Sequence, residues 1–184
     1  MHPRLNELLD HTDRHHRELL AEVERVPLSL RAVRPAPDRW SVTEVLDHLA
    51  ISASRIARLV DHRVAAGRVE GVGPDPLDSP VAATIDAGRI IDRTDRFVAP
   101  PSVAPRDRPD SASAEAELAA AHGRLRAAVH ASDGIDLTQL TAPHPLLGEL
   151  NLYQWLAFVG AHESRHARQV AEIGEALRAR DGSR

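Results

Sequence analysis

Eleven histidines stand among 184 residues that contain no cysteine, so any metal this chain holds is bound by nitrogen and oxygen. His162 and His166 are four apart, which on a helix puts both rings on one face, a turn from each other. That face also carries Trp155, Val159, Val170 and Ile173. Two imidazoles on an apolar stripe lose hydration unless something satisfies them. One answer is a divalent metal, for which neutral imidazole is the commonest ligand; the other is a hydrogen-bonded pair of core histidines. His48 tips the balance toward metal. It lies at the edge of another apolar stripe, level with Val45 and Ser52, and facing helices of a bundle converge their ligands on one interior point. Three protein ligands leave positions open for water or substrate, the pattern of a catalytic site.

The other histidines divide in two. His2, His62, His130 and His144 fall near termini, helix ends or loops and are expected to be solvated. His11, His15, His16 and His122 are candidates for supporting or occasional ligands. His162 to His166 spell His-Glu-Ser-Arg-His, formally the H-E-x-x-H of zinc peptidases. The 18 residues that follow hold no further histidine to complete such a site, so a peptidase is disfavoured. Glu172 and Glu175 are the remaining carboxylates on the same helix. Glu163 is a candidate general base, or a residue that orients a ligand. Gln169 is placed to hydrogen-bond a ligand, whereas Arg165 and Arg168 read as solvated.

Four amphipathic segments must position these groups. The first spans about Leu5 to Val26, with Leu5, Leu8, Leu9, Leu19, Leu20 and Val23 on one side, and Pro27 stops it. The second opens with Trp40-Ser41, where Ser41 and Glu44 form a capping box and Trp40 staples to Val45; Gly67 closes it. Residues 71 to 80 are loop, about Val81 to Phe97 a weak helical piece, and Pro100, Pro101, Pro105 and Pro109 mark another irregular stretch. A long crossover explains this region better than a lid. The third segment runs from about Ser113 to Ala131. Gly134 to Gly148 is expected to be mostly loop, and the last helix to run from near Leu150 to Arg178. With only five aromatic residues, a core of Leu, Val, Ile and Ala favours an all-α, up-down four-helix bundle with one long crossover, a single domain over 1–184.

Composition excludes several functions. The net charge is −4, with acidic and basic residues mixed along the chain, so no nucleic-acid footprint appears. No apolar run approaches the length of a membrane span, and the polar N-terminus lacks a leader pattern. A cytoplasmic location is expected by default.

Trp40-Ser41-Val42-Thr43-Glu44-Val45-Leu46-Asp47-His48-Leu49 resembles the signature that opens the second helix of the DinB-like superfamily. His144-Pro145 with Gly148 and Leu150, then Trp155 and the run from His162 to Val170, resembles its C-terminal signature. The resemblance spans the domain, leaving about Gly67 to Ser113 as a variable connection. It implies a four-helix bundle whose His48, His162 and His166 hold one divalent metal, zinc or nickel foremost; the ligand chemistry of histidine admits iron as well. It implies a homodimer, and for some members transfer or isomerisation with low-molecular-weight thiols such as mycothiol or bacillithiol. The leading expectation is therefore a metal-dependent thiol S-transferase acting on a small molecule. Metal-assisted hydrolysis and a non-catalytic metal-binding or stress-response role are the alternatives.

Overall fold

The computed structural model describes residues 1–94, 98–107 and 110–181. Its long helices are α1 (Pro3–Glu24), α2 (Val42–Val69), α4 (Ser111–Ala131) and α5 (Leu152–Asp181), with a five-residue α3 (Ala87–Ile91) in the connection between α2 and α4. The capping box at α2 forms as its sequence requires. The Glu44 N–H donates to Ser41 Oγ at 3.2 Å, and the Ser41 N–H donates to Glu44 Oε2 at 2.8 Å. Gly67 does not end this helix. It sits inside the last turn, where the Leu140 side chain comes so close that a Cβ would lie 2.7 Å from Leu140 Cδ2.

Cross-helix contacts fix the direction of each helix. Arg4 and Tyr153 meet at one end of the α1–α5 pair, His16 and Glu163 in the middle, and Val26 approaches Gly174 at the other end. These two helices therefore run parallel. The same holds for α2 and α4, where Ser54 meets Arg124 and Arg68 reaches the Ala131 carbonyl. His48 contacts His162 and His166, while Arg63, further on in α2, bonds Thr141 just ahead of α5, so those two helices are antiparallel. The bundle thus runs up, down, down, up. Joining the parallel α2 and α4 obliges residues 70–110 to travel the whole length of the bundle. Near its start this crossover meets Gln154, then Arg165 and Glu172, and finally His48 and Asp47 on α2.

Two apolar clusters fill the interior. One draws on Leu5, Leu8 and Leu9 of α1, Ile56 to Val64 of α2, Leu125 to Val129 of α4 and Leu152 to Ala161 of α5. The other draws on Leu19 and Val23, Val42 to Ala53, Ala114 to Ala121 and Ala167 to Leu177. The break between them falls at 10–18 of α1, 122–124 of α4 and 162–166 of α5, which are the positions of His16, His122, His162, Glu163 and His166. The polar side chains form a layer between two hydrophobic blocks.

Some local expectations are corrected. Residues 134–148 are mostly loop as expected, but they also carry a hairpin that was not expected, in which Thr141–His144 (β1) pairs antiparallel with Gly148–Asn151 (β2). Gly148, at a φ of 78°, takes the left-handed conformation that starts the return strand. Trp155 holds this hairpin to α5 by donating its indole N–H to the Ala142 carbonyl at 3.1 Å. Leu20 lies exposed rather than in the core, since it is one position past the face that buries Leu19 and Val23. The helical piece expected over Val81 to Phe97 contracts to a 3₁₀ turn at Ala82–Thr84 and α3; Phe97, like Pro109, lies outside the described residues.

One buried ion pair locks the start of the crossover. Arg4 donates to Asp75 Oδ2 at 2.7 Å and to the Ser79 hydroxyl and carbonyl, and Tyr153 donates to the same Asp75 oxygen at 2.8 Å. Burial alone would raise the Asp75 carboxyl, but the Leu77 N–H, the Tyr153 hydroxyl and the Arg4 guanidinium outweigh it and hold it below the usual range. A carboxyl lowered by folding stabilises above its unfolded pKa of about 3.9, and that contribution disappears as the pH falls through the folded value. Arg4→Ala is expected to cost about 3 kcal/mol, because it strands a buried carboxylate. It should also flatten the loss of stability below about pH 4, both effects being read from urea unfolding across pH.

Candidate metal centre

His48, His162 and His166 meet where α2 faces α5. The nitrogen His162 Nε2 lies 3.3 Å from His48 Nε2 and 3.1 Å from His166 Nε2, and one ligand atom from each ring falls within 4.8 Å of the others. Three imidazoles on a tetrahedral zinc ion would hold their nitrogens about 3.3 Å apart, given bonds of about 2.0–2.1 Å.

The far side of two rings decides what that convergence can be. His48 Nδ1–H donates to the Val103 carbonyl at 2.6 Å, and His166 Nδ1–H donates to Gln169 Oε1 at 2.8 Å. Gln169 Oε1 also faces Arg93 Nη1 at 3.4 Å, which fits its role as acceptor. With the protons on Nδ1, both Nε2 atoms carry lone pairs, and both aim at His162 Nε2. One N–H there can satisfy only one of them. A cation accepting all three lone pairs satisfies the set, so the residues present fit a metal better than a hydrogen-bonded core cluster.

Electrostatics point the same way. Burial pushes the imidazolium form of His162 and His166 well below the ordinary value, and each ring is further disfavoured by its histidine neighbours. Burial also lowers His48, against the opposing bond to Val103. All three are therefore neutral near pH 7, the form that binds metal.

Aromatic rings wall the cluster. Phe158 stacks on His162 with centroids 5.0 Å apart, and Trp40, before the α2 cap, tilts over His48 at 5.1 Å. His144 was expected in solvent, yet it is half-buried at the end of β1, packed on Phe158 at 4.6 Å and Trp155 at 4.9 Å. Its Nδ1 accepts the N–H groups of Leu146 and Leu147, and burial lowers its pKa. The signal was the hairpin itself, which folds His144 back onto α5 and which periodicity in so short a segment does not reveal.

The remaining candidates have other partners. Glu163 is 2 % exposed; its Oε1 accepts from His16 Nδ1 at 3.2 Å, on the α1 side of the bundle. His16 stacks on His122, whose Nε2 bonds Asp13. His11 bonds the Ala157 carbonyl and His15 pairs with Glu18, so neither joins the three-histidine cluster. His2 caps α1, while His62 and His130 are exposed. Arg165 is not simply solvated: it fastens α3 by bonding the Ile90 and Asp92 carbonyls. Glu172 pairs with Arg93 in the crossover. Asp47, next to His48 and completely buried, was not singled out by its sequence context; it receives the Arg106 backbone N–H at 2.7 Å and its guanidinium.

Comparison with known proteins places these features in a family. The model of the DinB superfamily matches residues 11–170. An uncharacterized protein of Bacillus subtilis (strain 168), YuaE, is 30% identical over 145 residues, covering 78% of this chain and 83% of the relative. No solved structure matches the chain significantly. Among the described residues, no helix is long and apolar enough to cross a membrane.

Gln169 supplies a readout of the ligand geometry. Gln169→Ala is expected to weaken metal binding about 10- to 100-fold by releasing His166 Nδ1, as measured by competition with a chromogenic chelator. Unchanged affinity would show that the orientation of His166 does not depend on this bond.

Proposed function

We propose, for a chain that belongs to the DinB superfamily, that His48, His162 and His166 hold one divalent metal, zinc or nickel before iron, and that the protein is a metal-dependent enzyme of the thiol S-transferase type. The observation that carries this reading is the donor set: three neutral imidazoles, two with their Nδ1 atoms anchored, contribute three lone pairs and no charge. A set of three leaves coordination room for a further group, unlike the four protein ligands of a closed structural site. Such an ion, when bound, lowers the pKa of a thiol and makes it a nucleophile at neutral pH.

The chain's own residues supply the rest. Val103 and Gln169 keep each ring turned so that its lone pair faces inward. Trp40, Phe158 and His144 give the cluster an apolar wall, suited to the carbon skeleton of a small electrophile. The absence of cysteine from the chain fits a reaction whose sulfur arrives with a low-molecular-weight thiol. The cytoplasmic setting and the homodimer implied by the family resemblance belong to this same proposal.

The test begins with metal. Untagged protein should carry a transition metal, and His48→Ala should lose it, as read by elemental analysis. Metal-loaded wild type should then consume thiol in the presence of an electrophile, at least 100-fold faster than His48→Ala. Turnover of ester or amide substrates without any thiol would instead favour hydrolysis. A loaded protein inert to both would identify a binding protein.

A further inference from the structure

We propose that His16, His122 and Glu163 form a second cation site, separate from the three-histidine cluster, which takes a borderline divalent ion such as Zn²⁺. The three residues come from α1, α4 and α5, and one ligand atom from each lies within 4.8 Å of the others. They occupy the same polar layer as the first cluster but its opposite side, where α1 and α4 close the bundle.

The argument starts from Glu163. Its side chain is 2 % exposed, its Oε1 accepts a bond from His16, and its Oε2 is buried without a hydrogen-bond partner. A carboxylate sealed between apolar blocks with one oxygen unsatisfied is costly, and a cation offsets that cost directly. Arg126, which reaches this layer, pairs with Asp13 instead. The spacing also suits a metal: His16 Nδ1 and Glu163 Oε1 are 3.2 Å apart, close to the edge of a tetrahedral zinc shell at about 3.3 Å. Coordination takes the place of the proton on His16 Nδ1, and the neutral ring then carries its proton on Nε2 instead.

His122 is prepared in the manner of a metal ligand. Its Nε2–H donates to Asp13 Oδ1 at 2.9 Å, which leaves Nδ1 as the lone-pair nitrogen. A carboxylate bonded to the outer nitrogen of an imidazole is the usual support of a ligating histidine. The His16 and His122 rings stack at 4.0 Å and 14°, and because imidazole lone pairs lie in the ring plane, two nearly parallel rings do not converge on one ion. Binding must therefore turn one ring out of that stack. Two imidazoles and a carboxylate are a donor set that zinc accepts readily.

The test is metal stoichiometry on the full chain, stripped with chelator, dialysed against Zn²⁺ and analysed for metal and protein. Wild type should bind two ions per chain. His122→Ala and the isosteric Glu163→Gln should each bind one, His48→Ala should bind one, and the His48→Ala/His122→Ala double variant none. Wild type saturating at one ion that His122→Ala and Glu163→Gln both retain would overturn the proposal, as would two ions retained in both variants. One ion lost in His122→Ala but kept in His48→Ala would uphold this site and sink the three-histidine one. Thermal unfolding of each apo variant checks that a lost ion is not a lost fold.

Discussion

The bond from His48 Nδ1 to the Val103 carbonyl ties the two halves of this structure together. It crosses from a rigid helix to the last part of a long irregular connection, and it decides which nitrogen of His48 keeps its lone pair. The crossover is in turn required by topology, because two parallel helices consecutive in the bundle need a connection as long as they are. A segment needed merely to return the chain thus also orients His48. Arg93, Arg106 and Arg165 fasten the same segment to α5, α2 and α4, so the crossover is held along the stretch that passes the cluster.

The polar layer divides the interior in a way that a bundle's stability alone does not call for. Apolar blocks lie on both sides of it, and a run of five residues on α5 serves two faces at once. His162 and His166 turn toward α2, while Glu163 turns toward α1. Successive residues on a helix are about 100° apart, so one short string can present imidazoles to one side and a carboxylate to another. This is also why the H-E-x-x-H spelling misleads. Here its glutamate meets the histidines of the opposite flank rather than those of its own string.

Much of this was legible in the residues. The four long helices, the capping box at Ser41 and the convergence of His48 with His162 and His166 follow from spacing and from the desolvation of imidazole on an apolar stripe. What was not legible depends on contacts between distant segments. The β-hairpin at 141–151 is too short for a periodic signal, so His144 reads as a loop residue until the hairpin folds it onto Phe158. The anchoring of His48 comes from a main-chain carbonyl, which no side-chain pattern announces. The pairing of His16, His122 and Glu163 needs three helices to be placed first, and their separation in sequence gives no hint of it.

That main-chain anchor bears on how the protein tolerates change. A ligand held by a side chain is lost when that side chain mutates, but a backbone carbonyl is present whatever residue occupies position 103. The crossover can therefore drift in sequence while His48 keeps its orientation as long as the chain's path is preserved. Selection on the connection then acts on its length and course more than on its letters. A lineage of such proteins can vary the surface of this connection without rebuilding the centre.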